Sequence, residues 1–162
     1  MFRSTLIALM LILPALAAAQ DPDAQEVSRY VLTDSGLAKY TLATEKLSAL
    51  GAAGCETESE DDSDTGSLAA AVAHIDANPP AKAAIQSAGM TSREYIVFGM
   101  SMLQSGLAAW GLDQPGGKLP PGISMANVTF FRTHAAEMER LGELTKSGCN
   151  ADDSGEDDGE GT

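Results

Sequence analysis

The sequence predicts an all-α fold: a small bundle of about four to five helices around a central apolar helix at about 92–110, with one disulfide between Cys55 and Cys149. Three observations carry this expectation. From Tyr95 to Leu112 there is no charged residue, and just before that run Thr91 and Glu94 form the T-x-x-E capping box that opens a helix. On both sides of it, apolar residues recur at helical spacing between Gly and Pro breaks. No strand-like alternation of useful length is present.

The central helix comes first because the rest is expected to cover it. Met90 and Tyr95 flank the capping box as a hydrophobic staple. Apolar side chains then fall on every side: Tyr95, Ile96, Val97, Phe98, Met100, Met102, Leu103, Leu107 and Trp110. A helix apolar all round is buried in a core or spans a membrane. The uncharged run only reaches the lower limit for a span, about 18 residues. Gly99, Ser101, Gln104, Ser105 and Gly106 dilute it, and no Lys or Arg cluster follows to fix a topology. The expectation is a core helix, with Phe98 and Leu103 among the most buried side chains and no stable membrane insertion of the processed chain.

The remaining elements follow in order. Residues 1–19 read as a cleaved secretory leader: Arg3, then the apolar run Leu6 to Leu13, then the A-x-A site at Ala17 to Ala19. The expected address is periplasmic or secreted. Residues 20–150 are expected to form one helical domain, about the size of a single fold. Val27 to Leu32 is a short apolar entry segment. Thr33 or Asp34 can cap the next helix, whose Leu37, Tyr40, Thr44 and Leu47 share one face until Gly51 and Gly54 end it. Gly66 to Asn78 reads as a short helix with Leu68, Val72 and Ile75 inward, stopped by Asn78-Pro79. Pro80 suits the first turn of another, Ala81 to Ala88, closed by Gly89. Leu112 to Gly122 is a Gly- and Pro-rich loop. Ser124 or Asn127 then caps a final helix to about Lys146. Its inner face is Val128, Phe131, Ala135, Met138 and Leu141, and Glu137, Glu139, Arg140 and Glu143 face water.

The formal net charge is −13, with 23 acids against 10 bases. Twelve of those acids sit in two runs, six in 56–64 and six in 152–160. The acidic loop at about 56–65 and the tail 151–162 are therefore expected to be solvated and disordered, and the body between them nearly neutral. No basic stripe exists, so nucleic-acid binding is not expected. An even cysteine count in an exported chain suggests one disulfide. Cys55 and Cys149 each follow the end of an expected helix and precede an acidic run, which fits two helix ends meeting at one pole.

The stretch NPPAKAAIQSAGMTSREYIVFGMSML, with the helix punctuation of residues 70–146 around it, resembles small exported helical proteins of Gram-negative bacteria with no assigned function. The resemblance implies a fold and an address. It carries no activity and no site residues.

Function is constrained mainly by exclusion. There is no G-x-S-x-G, H-E-x-x-H, C-x-x-C-H or glycine-rich phosphate loop. Glu94 is explained by capping. No catalytic, cofactor-binding or metal-ligating residue is assigned. His74 and His134 stand alone beside apolar residues, and Met100 and Met102 point to different sides of a helix. With Met90, Met125 and Met138 they form the only soft-metal candidate, a Cu(I)-type set. The acidic runs do not place acids, Gly and Glu at EF-hand positions, although weak divalent-cation binding there is compatible with the charge. The reading is a non-enzymatic periplasmic or secreted helical protein acting in binding or in envelope stress. The alternatives are a metal- or cofactor-binding protein using His74, His134 and the methionines, or an enzyme whose site is assembled from distant residues.

Overall fold

A computed structural model describes residues 21–51 and 67–149. The expectations for the leader, the acidic loop and the tail lie outside the described residues. Cys55 does too, and with it the expected disulfide. Among the described residues every regular element is a helix, in the order α1 (Pro22–Arg29), α2 (Asp34–Ala49), α3 (Leu68–Asp76), α4 (Pro79–Ser87), α5 (Ser92–Leu112), α6 (Met125–Thr133) and α7 (Ala135–Cys149).

The helix starts are written in the sequence. Asp21, Thr33, Ser67, Asn78 and Thr91 each accept a backbone N–H of the first turn at the starts of α1 to α5. The capping box of α5 is complete: Thr91 Oγ1 accepts from the Glu94 N–H, and Glu94 Oε2 accepts from the Thr91 N–H at 2.8 Å. Asn78 stops α3 and caps α4 at once, with Pro79 in the first turn where its missing N–H costs nothing. Gly89, at φ 82°, makes the turn from α4 toward α5 that a residue with a Cβ resists.

Four expectations need correction. The entry segment Val27 to Leu32 is not merely an apolar strap: Val27 to Arg29 form the end of an additional helix, α1, opened by Asp21 and Pro22. The final helix is not continuous. It breaks at His134, which has φ −104° and ψ 20°. Thr133 Oγ1 donates to the Thr129 carbonyl at 3.0 Å, a back-bond that bends helices. His134 Nε2 lies 3.0 Å from Asp34 Oδ1, and its ring meets Phe130 at 4.2 Å, tilted by 36°, so both contacts hold the break. Ala135, expected inward, is exposed beyond that bend. Asn127 is not a cap. Ser124 precedes α6 without a side-chain cap bond, and Asn127 is buried. The additional helix and the split raise the count to seven among the described residues.

The core is built around α5, which packs against α1, α2, α3, α4 and α6. Its first half enters the main cluster, where Phe98 is fully buried with Leu37, Ala43, Leu47, Ile85 and Met102. Tyr40 stacks on Phe98 at 4.9 Å and Tyr30 meets the same ring edge-on at 6.0 Å. Its second half packs Ala108 and Ala109 against Val128 of α6. Small residues set the spacing. A Cβ on Gly106 would stand 2.7 Å from Phe131 Cζ, so the Phe131 ring of α6 lies directly against α5 where residue 106 has no side chain. As expected, Leu37, Thr44 and Leu47 of α2 and Leu68 of α3 are buried.

Candidate functional site

The inner face of α5 is settled by packing and by satisfied polar groups. Val97, Phe98, Ser101, Met102, Ser105, Ala108 and Ala109 are buried. Ser101 Oγ donates to the Val27 carbonyl at 2.9 Å and Ser105 Oγ donates to the Ser101 carbonyl at 2.6 Å. These hydroxyls tie α5 to α1 and to itself. Among the described residues no buried side-chain polar atom lacks a partner.

The outer face is the surprise. Met100 is 44% exposed, Leu103 64%, Leu107 62% and Trp110 67%. Leu103 and Trp110 were expected in the core, and they are among the most exposed large apolar residues described. The helix is not covered on all sides. Its apolar outer residues are spaced three, four and three apart, with half-buried Ile96 one step before them. That is the a/d pattern of a coiled-coil seam. The outer residues form a ridge about 15 Å long at 1.5 Å per residue, without a charged side chain on it. The signal was readable in the sequence as a 3-4-3 spacing, but it was hidden because the inner positions of the same helix are apolar as well.

Beside the ridge lies a cavity of about 210 Å³. Leu103 forms its lip with Met102. Tyr40 and Thr44 of α2 and Phe131 of α6 close two sides, and Met138 and Leu141 of α7 the third. The hydroxyl-bearing side chains in its lining are Tyr40 and Thr44. Tyr95, which is not part of the lining, pairs its hydroxyl with Thr44 Oγ1 at 3.1 Å and stacks on Tyr40 at 4.7 Å. Burial pushes the hydroxyls of Tyr40 and Tyr95 above the ordinary tyrosine value, so both are neutral at physiological pH. The lining is mainly apolar and holds no carboxylate, imidazole or thiol.

The charged groups do other work. Arg140 joins Glu137 of its own helix to Glu45 of α2, and Thr41 Oγ1 donates to Glu137 at 3.0 Å. Glu137 is therefore half-buried and bonded, not simply facing water as expected. Arg93 is held by Glu26 and Asp23, and Asp23 Oδ2 also accepts the Leu68 N–H. Asp76 accepts from Ser92 and pairs with Lys82. The carboxyls of Glu26, Asp76, Glu94 and Glu137 are all held below their ordinary value, chiefly by hydrogen bonds from Arg93, Ser92, Thr91 and Arg140 respectively. Such groups are anions fixed in place. None is pushed upward, as a general acid working near neutrality requires.

The two histidines are not brought together in one cluster with methionine. His74 is exposed on α3, and His134 is engaged with Asp34 and Phe130. Met90 and Met102 are buried, whereas Met100 and Met125 are exposed. Met100 and Met102 do point to different sides, as two-residue spacing requires. Among the described residues no group of three His, Cys, Asp or Glu side chains could hold a metal ion. By length and composition α5 could cross a membrane, with a mean hydropathy of 1.2.

No family model, curated protein or solved structure matches the chain.

Proposed function

We propose that the protein is an exported helical binding protein without catalytic activity, and that its working surface is the outer ridge of α5 with the cavity beside Leu103. The observation that carries this reading is the joint exposure of Met100, Leu103, Leu107 and Trp110 on one uncharged ridge. A soluble domain rarely leaves large apolar side chains in a continuous line unless something binds there. The mixture of Met and Trp supports it: Met adapts to irregular partners and Trp is a frequent anchor at binding surfaces. The leader-like residues 1–19 and the two cysteines support the export half of the reading.

The test uses the chain's only tryptophan, Trp110. An apolar fluorescent probe such as N-phenylnaphthylamine should bind the purified protein and shift Trp110 emission. Leu103→Glu should abolish the binding. Turnover of any substrate in a broad hydrolase and redox panel, or probe binding indifferent to Leu103→Glu, would refute the reading.

A further inference from the structure

We propose that the α5 ridge is a self-association surface, and that its occupant is the α5 ridge of a second copy of this chain, packed antiparallel about a two-fold axis. The proposal rests on the binding-face reading above and names the partner.

The spacing carries it. The exposed positions 100, 103, 107 and 110 are symmetric about position 105. An antiparallel copy therefore sets Leu103 of one chain against Leu107 of the other, and Met100 against Trp110. A two-fold interface needs this kind of self-complementary patch. A seam of two positions in seven is also the width that another helix fills. A helix lying on a membrane instead needs a broad apolar face flanked by basic residues. Here the only Lys or Arg on α5 is Arg93 in its first turn, so the helix gives the ridge no basic flank of that kind.

Electrostatics permit the pairing. No charged side chain lies between Tyr95 and Leu112, so α5 itself brings no like charges to the seam. Antiparallel packing also sets the positive N-terminal end of each α5 beside the negative C-terminal end of the other. The described residues carry eleven acids and nine bases, so this part of each copy adds little repulsion. The four ridge side chains offer on the order of 500 Å² of surface per copy, about 1,000 Å² for the pair, which is the lower end for a specific and reversible contact. An exposed apolar ridge of this size fits a dimer that dissociates on dilution.

The experiment is analytical ultracentrifugation of the purified chain, with Trp110 emission read on the same samples. The mass should double as concentration rises from about 1 to about 500 µM, the range of a weak interface, and Trp110 emission should shift to shorter wavelength in step. Leu103→Glu and Leu107→Gln should each keep the wild-type helical circular dichroism and melting temperature, and each should stay at the monomer mass. A wild type at monomer mass throughout, or a dimer that survives both substitutions, overturns the proposal. A monomer that co-sediments with phosphatidylcholine vesicles overturns it in favour of a lipid-facing ridge. A monomer that still binds the apolar probe in a Leu103-dependent way overturns self-association and leaves the binding-face reading standing.

Discussion

Asn127 Nδ2 donates to the Tyr30 carbonyl at 2.7 Å, while Asn127 Oδ1 accepts the Leu32 N–H at 3.1 Å. One side chain on α6 thus satisfies the backbone on both sides of Val31, where α1 gives way to α2 and no helix can do so. Asn127→Ala leaves a buried N–H and a carbonyl without partners. Each such group costs roughly 1–3 kcal/mol. Urea unfolding should show a loss of about 2–4 kcal/mol with an unchanged m-value. A loss under about 0.5 kcal/mol, the ordinary range of a surface change, would mean that the connection between α1 and α2 finds other partners.

Gly36 sits in the first turn of α2 against the fully buried ring of Phe98. A Cβ there would stand 2.9 Å from Phe98 Cε2 and 3.2 Å from Thr33 Oγ1. Helix propensity alone favours Ala by about 1 kcal/mol. Phe98 has no room to retreat, since it is stacked on Tyr40 and met edge-on by Tyr30. Overpacking of this kind costs about 1–3 kcal/mol. Gly36→Ala should therefore lower the melting temperature in thermal unfolding, and a rise would show that the ring can move.

Phe98 and Leu103 lie five residues apart on the same helix and should behave oppositely. Phe98→Ala removes a fully buried ring and should cost about 3–5 kcal/mol. Leu103→Ala should stay within about 0.5 kcal/mol in a dilute, monomeric sample. Denaturant melts of the two variants side by side make the comparison. A Leu103→Ala loss near that of Phe98→Ala would place residue 103 back in the core.

The Glu94 carboxyl is held below its ordinary value of 4.5, first by the Thr91 backbone N–H and then by the Thr91 side chain. A group depressed in the folded state binds fewer protons there than in the unfolded chain. Its contribution is present above about pH 4.5 and is lost as pH falls through the lower folded value. Glu94→Gln keeps the capping box, since Gln also reaches back to the N-cap, and removes this titration. Melting temperature against pH should fall less steeply below pH 4.5 in the variant than in the wild type. Parallel curves would exclude Glu94 as a contributor to acid sensitivity.

The all-α fold, the caps at Thr33 and Thr91, the break at Asn78-Pro79 and the loop that follows Leu112 were legible in the sequence because they rest on contacts within one turn of chain. The inner face of α2 was legible for the same reason: spacing alone aligns Leu37, Thr44 and Leu47. The bend at His134 was not, because Asp34, a hundred residues away, helps to hold it. The role of Asn127 was not, because an Asn near a helix start reads as a cap until the Tyr30 carbonyl is seen beside it.

The sequence by itself determined that about 92–110 is a helix and that most of its side chains avoid water. It could not say which of them succeed. Tertiary packing decided that, because the number of helices reaching α5, and the sides from which they come, depends on contacts between distant segments. With α1 to α4 and α6 on one side, Phe98 is enclosed and the ridge from Met100 to Trp110 is left over. Periodicity cannot separate an inner apolar face from an outer one when both are apolar, and only the arrangement of the neighbouring helices breaks that tie.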